Sequence, residues 1–497
     1  MKAVTAAEMR KIDKKSEEEY GFPSELLMGF AGKAAAANVL KNFPNSKSIA
    51  IFTGTGNNGG DGFAAAYFLA ATNASVKIFL CGGTALTKSA ALFHSICLKS
   101  GIVIEEGMPD NLDGFDLIID ALLGTGFGGP TREWAAEAIA MINSSKLPVV
   151  SLDIPSGLSA DGEAPAWDAV RASLTVTMGL PKISLVTYPG LAYCGTVKTA
   201  DIGFPKNLTS SPDIKTELID DEFISAASPY LQVACGDVDK NVKGHLLLVG
   251  GFDSMEGAII MSAQAALETG VGLLSLMTTN KAREIIAGKI PELITIRAQA
   301  DTIHALLRER KYDSLVIGPG MGRSEDSAKL FTALMDALPE DTKNVVIDGD
   351  GLFHFASYLE NKKLKNTVKY ILTPHFNEAS RIMGKTVNEI KANRLAAAKE
   401  CSAKTGCIVL LKGPASIVSA GEYAYINTSG NSLLATAGSG DILSGVLGAL
   451  LLRGTEAALA ACAACFFHGK AADLLASKGI KHLKALDIIN ALKNTGV

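Results

Sequence analysis

Short apolar runs alternate with amphipathic stretches along most of the chain. In the first half the runs fall at Ser48–Phe52, Val76–Leu80, Leu117–Ile119, Val149–Leu152 and Leu174–Met178, with helical patterns such as Gly62–Ala71 and Leu86–Ser100 between them. Strand-length runs spaced by helix-length patterns predict a parallel sheet with crossover helices. Upstream, Thr5-Ala-Ala-Glu8 has capping-box spacing and predicts a helix to about Glu19. An Ala-rich helix over roughly Ser24–Leu40 follows. A second alternation places strands at Leu246–Val249, Leu273–Met277, Leu315–Ile317, Val345–Ile347, Tyr370–Leu372 and Ile408–Leu411, then at Ile417 and Tyr423–Ile426, with a mostly helical tail from about Asp441. Phe204–Ile219, with Pro205, Ser210, Ser211 and Pro212 and no clear period, is expected to be the linker. That divides the chain into residues 1–212 and 213–497. The halves share a strand–glycine loop–helix style without a fixed repeat, so two α/β domains are expected rather than a solenoid.

Composition narrows the function classes. The chain has 497 residues, 48% hydrophobic and 20% charged, which excludes a disordered polymer. A net charge of −4 gives no reason to expect nucleic acid or an anionic membrane as partner. Eight cysteines do not make a disulfide framework in a chain this long. The early Arg10-Lys-Ile-Asp-Lys-Lys is not followed by an apolar stretch, so no secretory signal is expected. The longest apolar region, Ile442–Phe467, is broken by Arg453 and Glu456 and reads as buried helices rather than a membrane span. A cytoplasmic location is the expectation.

Three strand ends in the first half carry chemistry. Gly54-Thr-Gly56-Asn57-Asn58-Gly59-Gly60-Asp61 follows a strand and opens a helix, the context in which glycines let a backbone approach a pyrophosphate. A dehydrogenase fingerprint would add an acid at the end of the next strand. Here that strand ends in Cys81-Gly-Gly-Thr, which argues against a plain dehydrogenase. The next two strands end in Asp120-Ala-Leu-Leu-Gly124-Thr125-Gly126-Phe127-Gly128-Gly129-Pro130 and in Asp153-Ile-Pro-Ser156-Gly157. A lone Asp at such a position often only caps the next element. Three strand ends together, at the edge where open α/β sheets bind ligands, favour a site. Asn58, Asp120 and Ser156 form a hard-oxygen set suited to a monovalent cation such as K⁺, with no Cys or His nearby to suggest zinc.

Over about residues 1–210 these motifs, with Leu27-Met28, Ala31-Gly32, Pro181-Lys182 and Asp201-Ile-Gly203, resemble the NAD(P)H-hydrate epimerase family in order and kind. The resemblance implies that Asn57, Asn58, Gly59, Gly60 and Asp61, then Gly124, Thr125, Gly126, Phe127, Gly128, Gly129 and Pro130, and Asp153 bind the hydrated nicotinamide dinucleotide. It also implies that Asn58, Asp120 and Ser156 hold K⁺. Inverting the hemiaminal carbon C6 requires proton transfer to and from its hydroxyl, and Asp153 is the expected acid–base group.

In the second half the main signal is Ala437-Gly438-Ser439-Gly440-Asp441 before an apolar helix. Consecutive N–H groups and the helix dipole favour an anion there, and a carboxylate beside it can accept a hydroxyl proton during phosphoryl transfer. The plainer reading is an N-terminal Asp after a flexible turn. Further strand ends carry Lys412-Gly413-Pro414-Ala415-Ser416, suited to a phosphate or ribose, and Gly318-Pro-Gly320-Met-Gly322. Asp348-Gly-Asp350 offers two carboxylates for Mg²⁺ or a substrate hydroxyl, and Thr373-Pro-His375-Phe-Asn-Glu378 ends a fourth strand. This set resembles the ribokinase-like superfamily, and within it the ADP-dependent NAD(P)H-hydrate dehydratase family, over about residues 240–450. The family usually has Pro-Gly where Phe376-Asn377 stands.

The resemblance implies that Ala258, Gly320 or Gly322, His375 and Asp441 contact the hydrate, and that Lys412, Gly413, Pro414, Ala415, Ser416 and Gly440 contact the adenine nucleotide. The implied fold is α/β throughout: a Rossmann-like three-layer α/β/α domain, then a ribokinase-like three-layer α/β/α domain. The implied activity is nicotinamide nucleotide repair. The first domain interconverts the R and S hydrates. In the second, with ADP as co-substrate and Mg²⁺, Asp441 takes the C6 hydroxyl proton, and AMP and phosphate are released. The expected ligands are NAD(P)H hydrate and ADP or AMP, and the expected assembly is a homo-oligomer. Two other readings remain: a ribokinase-like kinase of a vitamin precursor or sugar fused to a nucleotide-binding module, and a first domain that serves as scaffold or ligand sensor. The Cys462-Ala-Ala-Cys465 pair with His468 has metal-like spacing but sits in a small-residue apolar helix and reads as core.

Overall fold

The computed structural model describes all residues except 73, 127–132, 233–238, 241 and 253. The chain divides into two compact units, one spanning Lys2–Thr216 and the other Glu217–Val497 together with Met1.

The first unit is a seven-stranded parallel sheet: β1 (Ser48–Thr53), β2 (Ser75–Leu80), β3 (Val103–Glu106), β4 (Leu117–Ala121), β5 (Val149–Leu152), β6 (Leu174–Met178) and β7 (Thr196–Ala200). Their order is β3-β2-β1-β4-β5-β6-β7. Alternate residues of one strand feed separate cores. Ile49 and Ile51 join Phe63, Leu117 and Ile119 on one face, while Ala50 and Phe52 join Phe79, Ile118 and Ile139 on the other. Both faces are therefore covered, which is why the central strands read as unbroken apolar runs. The helix Ala6–Glu18 begins with the expected capping box, Glu8 N–H donating to Thr5 Oγ1 at 3.2 Å and Thr5 N–H to Glu8 Oε2 at 2.8 Å. β1 neighbours both β2 and β4, and the winding direction reverses between β1 and β4, which opens a crevice at their carboxyl ends.

The second unit holds a ten-stranded sheet: β8 (Thr216–Ile219), β9 (His245–Val249), β10 (Leu273–Thr278), β11 (Ile294–Arg297), β12 (Ser314–Ile317), β13 (Asn344–Ile347), β14 (Lys369–Leu372), β15 (Ile408–Leu411), β16 (Ile417–Ala420) and β17 (Tyr423–Asn427). Their order is β11-β10-β9-β12-β13-β14-β15-β16-β17-β8. Pairing is parallel from β11 to β15 and antiparallel through β15, β16 and β17. The reversal falls between β9 and β12. The helices Glu256–Thr269 and Ser439–Leu451 meet closely: a Cβ at Gly445 would stand 2.1 Å from Ser262 O. The helix Ala457–Ser477 is long and apolar enough to cross a bilayer, and most of it is buried in this unit's core. Cys462, Cys465 and His468 are core side chains within it.

Two expectations need correction. The stretch Phe204–Ile219 contains a short helix, Lys206–Thr209, and its last four residues are β8, an edge strand of the ten-stranded sheet. The helix expected over Gly62–Ala71 starts earlier, at Asn57, and runs to Ala70 with Gly56 as its N-cap, so Asn57–Asp61 forms its first turns.

Candidate functional sites

The first site lies where β1 and β4 part. Asn57, Asn58 and Asp61 enter from the helix after β1, Gly124, Thr125 and Gly126 follow β4, and Asp153 follows β5; all line one cavity of about 850 Å³. Gly59 and Gly60 lie behind them, buried. Space fixes Gly59 as glycine, since a Cβ there would stand 1.9 Å from Gly54 O. Asn57 Oδ1 accepts from Thr87 Oγ1 at 3.0 Å. Phe127, Gly128, Gly129 and Pro130 lie outside the described residues.

Asp120 is fully buried at the end of β4. Its Oδ1 accepts from Ser156 Oγ (2.5 Å) and Leu122 N (3.3 Å), and its Oδ2 from Ser151 Oγ (2.8 Å) and Ser156 N (2.9 Å). Burial raises its carboxyl, and those four donors oppose the rise. Asn58 Nδ2 donates to Leu123 O at 2.9 Å, but Asn58 Oδ1 is buried with no hydrogen-bond partner among the described residues. The trio Asn58, Asp120 and Ser156 is therefore assembled around Leu123, whose O accepts from Asn58 Nδ2 and whose N donates to Ser156 Oγ at 2.9 Å. An orphaned carbonyl oxygen beside a buried carboxylate fits a monovalent cation.

Asp153 takes a left-handed backbone conformation, φ 62°. Its Oδ1 accepts from Lys182 Nζ, from Met178 N (3.2 Å) and from Thr177 Oγ1 (3.3 Å). Lys182 is 1% exposed. Three further carboxyls, Asp13, Glu17 and Asp61, share the cavity. Burial, then the charges of Asp153 and Asp13, push Asp61 well up against the pull of Lys182. Surrounding protein, then Asp153, raise Asp13 to about 6, again against Lys182. Sequence reasoning assigned no role to Asp13 or Lys182. The i, i+4, i+8 spacing of Met9, Asp13 and Glu17 is the only local signal of a cavity-facing stripe.

The second site gathers at the β9/β12 switch and the helix Ser439–Leu451. Gly318 must be glycine, because a Cβ would lie 1.9 Å from Asp348 O. A Cβ at Gly320 would touch Ala258 Cβ at 3.1 Å, and one at Gly322 would lie 3.2 Å from Met255 Cε, so Ala258, Gly320 and Gly322 adjoin around Met255. At the centre is Lys412. Its Nζ donates to Asp348 Oδ1 at 2.6 Å and would stand 3.3 Å from a Cβ at Gly440. Burial works against its charge, but Asp348, Glu378 and Asp441 outweigh it and hold the ammonium above the usual lysine range. Burial would likewise raise Asp348; Lys412 and the Ser444 hydroxyl (2.6 Å) hold it below the usual carboxylate range. Asp441 rises to about 7 through burial and then the Asp348 charge, with Lys412 opposing. Glu378 also reaches about 7, mainly by burial.

His375 is the N-cap of the helix Phe376–Met383. Its Nδ1 accepts from Asn377 N (3.1 Å) and Glu378 N (3.3 Å), which leaves Nε2 as the protonated nitrogen of the neutral ring. Burial and then Lys412 lower its pKa. Phe376 packs on the face of Gly413, with the Arg394 guanidinium 4.8 Å from its ring centre, and Arg394 Nη1 donates to Pro414 O at 3.0 Å. Ser416 Oγ donates to Gly413 O at 2.8 Å and closes the Lys412–Ser416 turn, in which Ala415 has φ 54°. Asp348 and Asp350 are not free ligands: Asp350 is held by Gly322 N (3.0 Å) and Arg323 Nε (2.8 Å). Among the described residues no group of three or more His, Cys, Asp or Glu is arranged to cage a metal.

Comparison with known proteins agrees with this division. Residues 24–184 match the YjeF-related protein N-terminus family, and residues 246–494 match the NAD(P)H-hydrate dehydratase family. The bifunctional NAD(P)H-hydrate repair enzyme of Moorella thermoacetica is 33% identical, covering 99% of this chain and 96% of its own. That of Escherichia coli K12 is 32% identical over 98% and 92%. Among solved structures, the ADP/ATP-dependent NAD(P)H-hydrate dehydratase of Bacillus subtilis, co-crystallised with ATP and Mg²⁺, superposes with a TM-score of 0.50 at 26% identity, covering 56% of this chain and 97% of that one. With two domain families in series and relatives aligned from end to end, the chain belongs to the bifunctional NAD(P)H-hydrate repair enzymes.

Proposed function

We propose that the Lys2–Thr216 unit interconverts the R and S hydrates of NADH and NADPH at C6, and that the Glu217–Val497 unit dehydrates the S form with ADP as phosphoryl donor. In the first unit the hydrate's dinucleotide lies along the first turns of Asn57–Ala70 and the Gly124–Gly126 segment, with the reduced ring toward Asp153. Departure of the C6 hydroxyl is assisted by the N1 lone pair and needs a proton on the leaving oxygen; return of water on the other face releases one. Asp153, fixed by Lys182, Thr177 and Met178 N, exchanges that proton. K⁺ held by Asn58 Oδ1, Asp120, Ser156 Oγ and Leu123 O would neutralise the buried carboxylate beside the substrate cradle.

The observation that carries the dehydratase reading is Asp441. Its carboxyl sits in the first turn of Ser439–Leu451, after the Gly438–Gly440 amides and within the field of Lys412. Asp441 takes the C6 hydroxyl proton as that oxygen bonds to the terminal phosphorus of ADP and AMP departs. Lys412 and the loop amides stabilise the charge on the transferring group. The N1 lone pair then expels phosphate, and loss of a C5 proton restores the reduced nicotinamide. Lys412–Ser416 and Gly440 bind the nucleotide, and Ala258, Gly320, Gly322 and His375 bind the hydrate. Asp348, Glu378 and Asp441 surround one ammonium, Lys412. That excess of acid suits Mg²⁺ arriving on the nucleotide phosphates, which needs only one or two carboxylates from protein.

The test is the purified chain with a mixed R/S hydrate in K⁺, with and without ADP. Consumption of both epimers with recovery of reduced-nicotinamide absorbance and release of AMP is expected. A stable phosphorylated product would instead support the small-molecule kinase, which the end-to-end relatives do not favour.

A further inference from the structure

The helix Ala6–Glu18 turns Met9, Arg10, Asp13, Lys14 and Glu17 onto the cavity that contains Asp153. Four carboxyls, Asp13, Glu17, Asp61 and Asp153, therefore share it with one buried ammonium, Lys182. All three protons of that ammonium are committed, to Asp153 Oδ1, to Thr177 Oγ1 at 3.1 Å and to Met178 O at 3.1 Å. Asp153 Oδ1 in turn receives three donors, Lys182 Nζ, Met178 N and Thr177 Oγ1, which hold this carboxyl in place. Asp13 differs: among the described residues it has no hydrogen-bond or ion-pair partner, and it is open to the cavity.

Inversion at C6 uses both faces of the ring. The hydroxyl leaves from one, and water returns on the other. A carboxylate pinned by three donors attends one face. We propose that Asp13 is the second acid–base group of the epimerase and attends the opposite face, an inference that rests on the epimerase function given above. In one direction Asp13 gives its proton to the C6 hydroxyl, the C6–O bond breaks, the N1 lone pair becomes the N1=C6 π pair, and water departs. On the other face a water oxygen bonds to C6, the π pair returns to N1, and the surplus proton passes to Asp153. Asp13 then regains a proton from the cavity solvent and Asp153 releases one. The reverse direction exchanges the two roles. Arg10, Lys14 and Glu17 on its own helix, Asp61 on Asn57–Ala70, Asp153 after β5 and Lys182 after β6 face the same cavity as Asp13; burial, then Asp153, raise its carboxyl, and Lys182 opposes them. Its raised pKa, about 6, keeps part of the population protonated near neutral pH.

The test uses the full chain, the R hydrate of NADH and K⁺ without ADP. Appearance of the S hydrate is followed by chromatography from pH 5 to 9, with the uncatalysed rate subtracted. For wild type, kcat/KM falls as pH rises through about 6, where Asp13 loses its proton. Asp13→Asn should run about 100-fold slower and lack that fall. Trp134 and Trp167, the two tryptophans of the chain, both lie in the first unit, so their fluorescence reports whether the variant has folded there. If Asn does not fold, Asp13→Ser is judged by the same readouts. A folded variant within threefold of wild type, or one that keeps the fall near pH 6, overturns the role of Asp13 alone. A wild-type chain that produces no S hydrate at any pH overturns the epimerase function with it.

Discussion

Lys412→Met isolates the interaction at the centre of the second site. Met has nearly the length of the lysine stem, so packing is largely kept while the charge is removed. What remains is Asp348, 2% exposed, with Ser444 Oγ at 2.6 Å but no cation on it. Removing one partner of a buried pair costs about 3–5 kcal/mol, because the other charge is left uncompensated. In a unit of this size that lowers its melting temperature by roughly 6–15 °C. The effect has a pH signature. In wild type, Asp348 is held below the usual carboxylate range, so it contributes stability above its unfolded pKa and loses it as pH falls through the folded one. In the variant, Asp348 takes up a proton in the fold instead, so the gap between the two proteins is full at pH 7 and narrows toward pH 4. Differential scanning calorimetry or far-UV circular dichroism reads the second unit. Tryptophan fluorescence reads only the first and should show an unmoved transition. A loss under about 1 kcal/mol at pH 7, or a gap that does not change with pH, would refute the claim that the pair is dry and mutually dependent.

The base and the cation give further tests. Asp441→Asn should slow dehydration of the S hydrate by about 10²–10⁴-fold while R/S interconversion continues unchanged. In wild type, Asp441 must be ionised to accept the proton, so kcat/KM for dehydration should climb with pH to about 7 and then level; a flat profile excludes Asp441 as the base. K⁺ at a hundredfold excess over its Kd should stabilise the first unit by about 2.7 kcal/mol relative to choline. The shift in the fluorescence-detected transition should vanish in Asn58→Leu, which removes the orphaned oxygen; an equal shift in that variant places the ion elsewhere.

The strand ends that carry Asp120, Asp153 and Lys412 were legible because buried strands are continuous apolar runs and their glycine-rich exits interrupt the pattern, and Asp441 was legible from the glycine turn that opens its helix. The edge strands β3, β7 and β11 were not, because they are short and largely exposed: Val103, for example, is 58% exposed. The helix after β1 reads as starting at Gly62 because Asn and Gly are poor helix formers, yet close packing of Gly59 against Gly54 and of Gly60 against Met28 sets Asn57–Asp61 in its first turns. Asp348 and Asp350 read as available carboxylates; that Lys412, Ser444, Gly322 N and Arg323 occupy them depends on contacts made across the chain. Asp13 looks like one polar position on an amphipathic helix, and only the fold brings it to Asp153.

At Gly59 and Gly318 main chain lies directly against main chain, with no room for even a methyl group between them. Peptide units packed this way have no side-chain identity to exchange, so the layer behind each site is closed to gradual retuning. Any drift in preference between the phosphorylated and unphosphorylated coenzyme, or between one nucleotide donor and another, is confined to the side chains that stand in front of it. A library aimed at new substrates would find its useful variants there, and substitutions in the backing layer would mostly yield chains that do not fold.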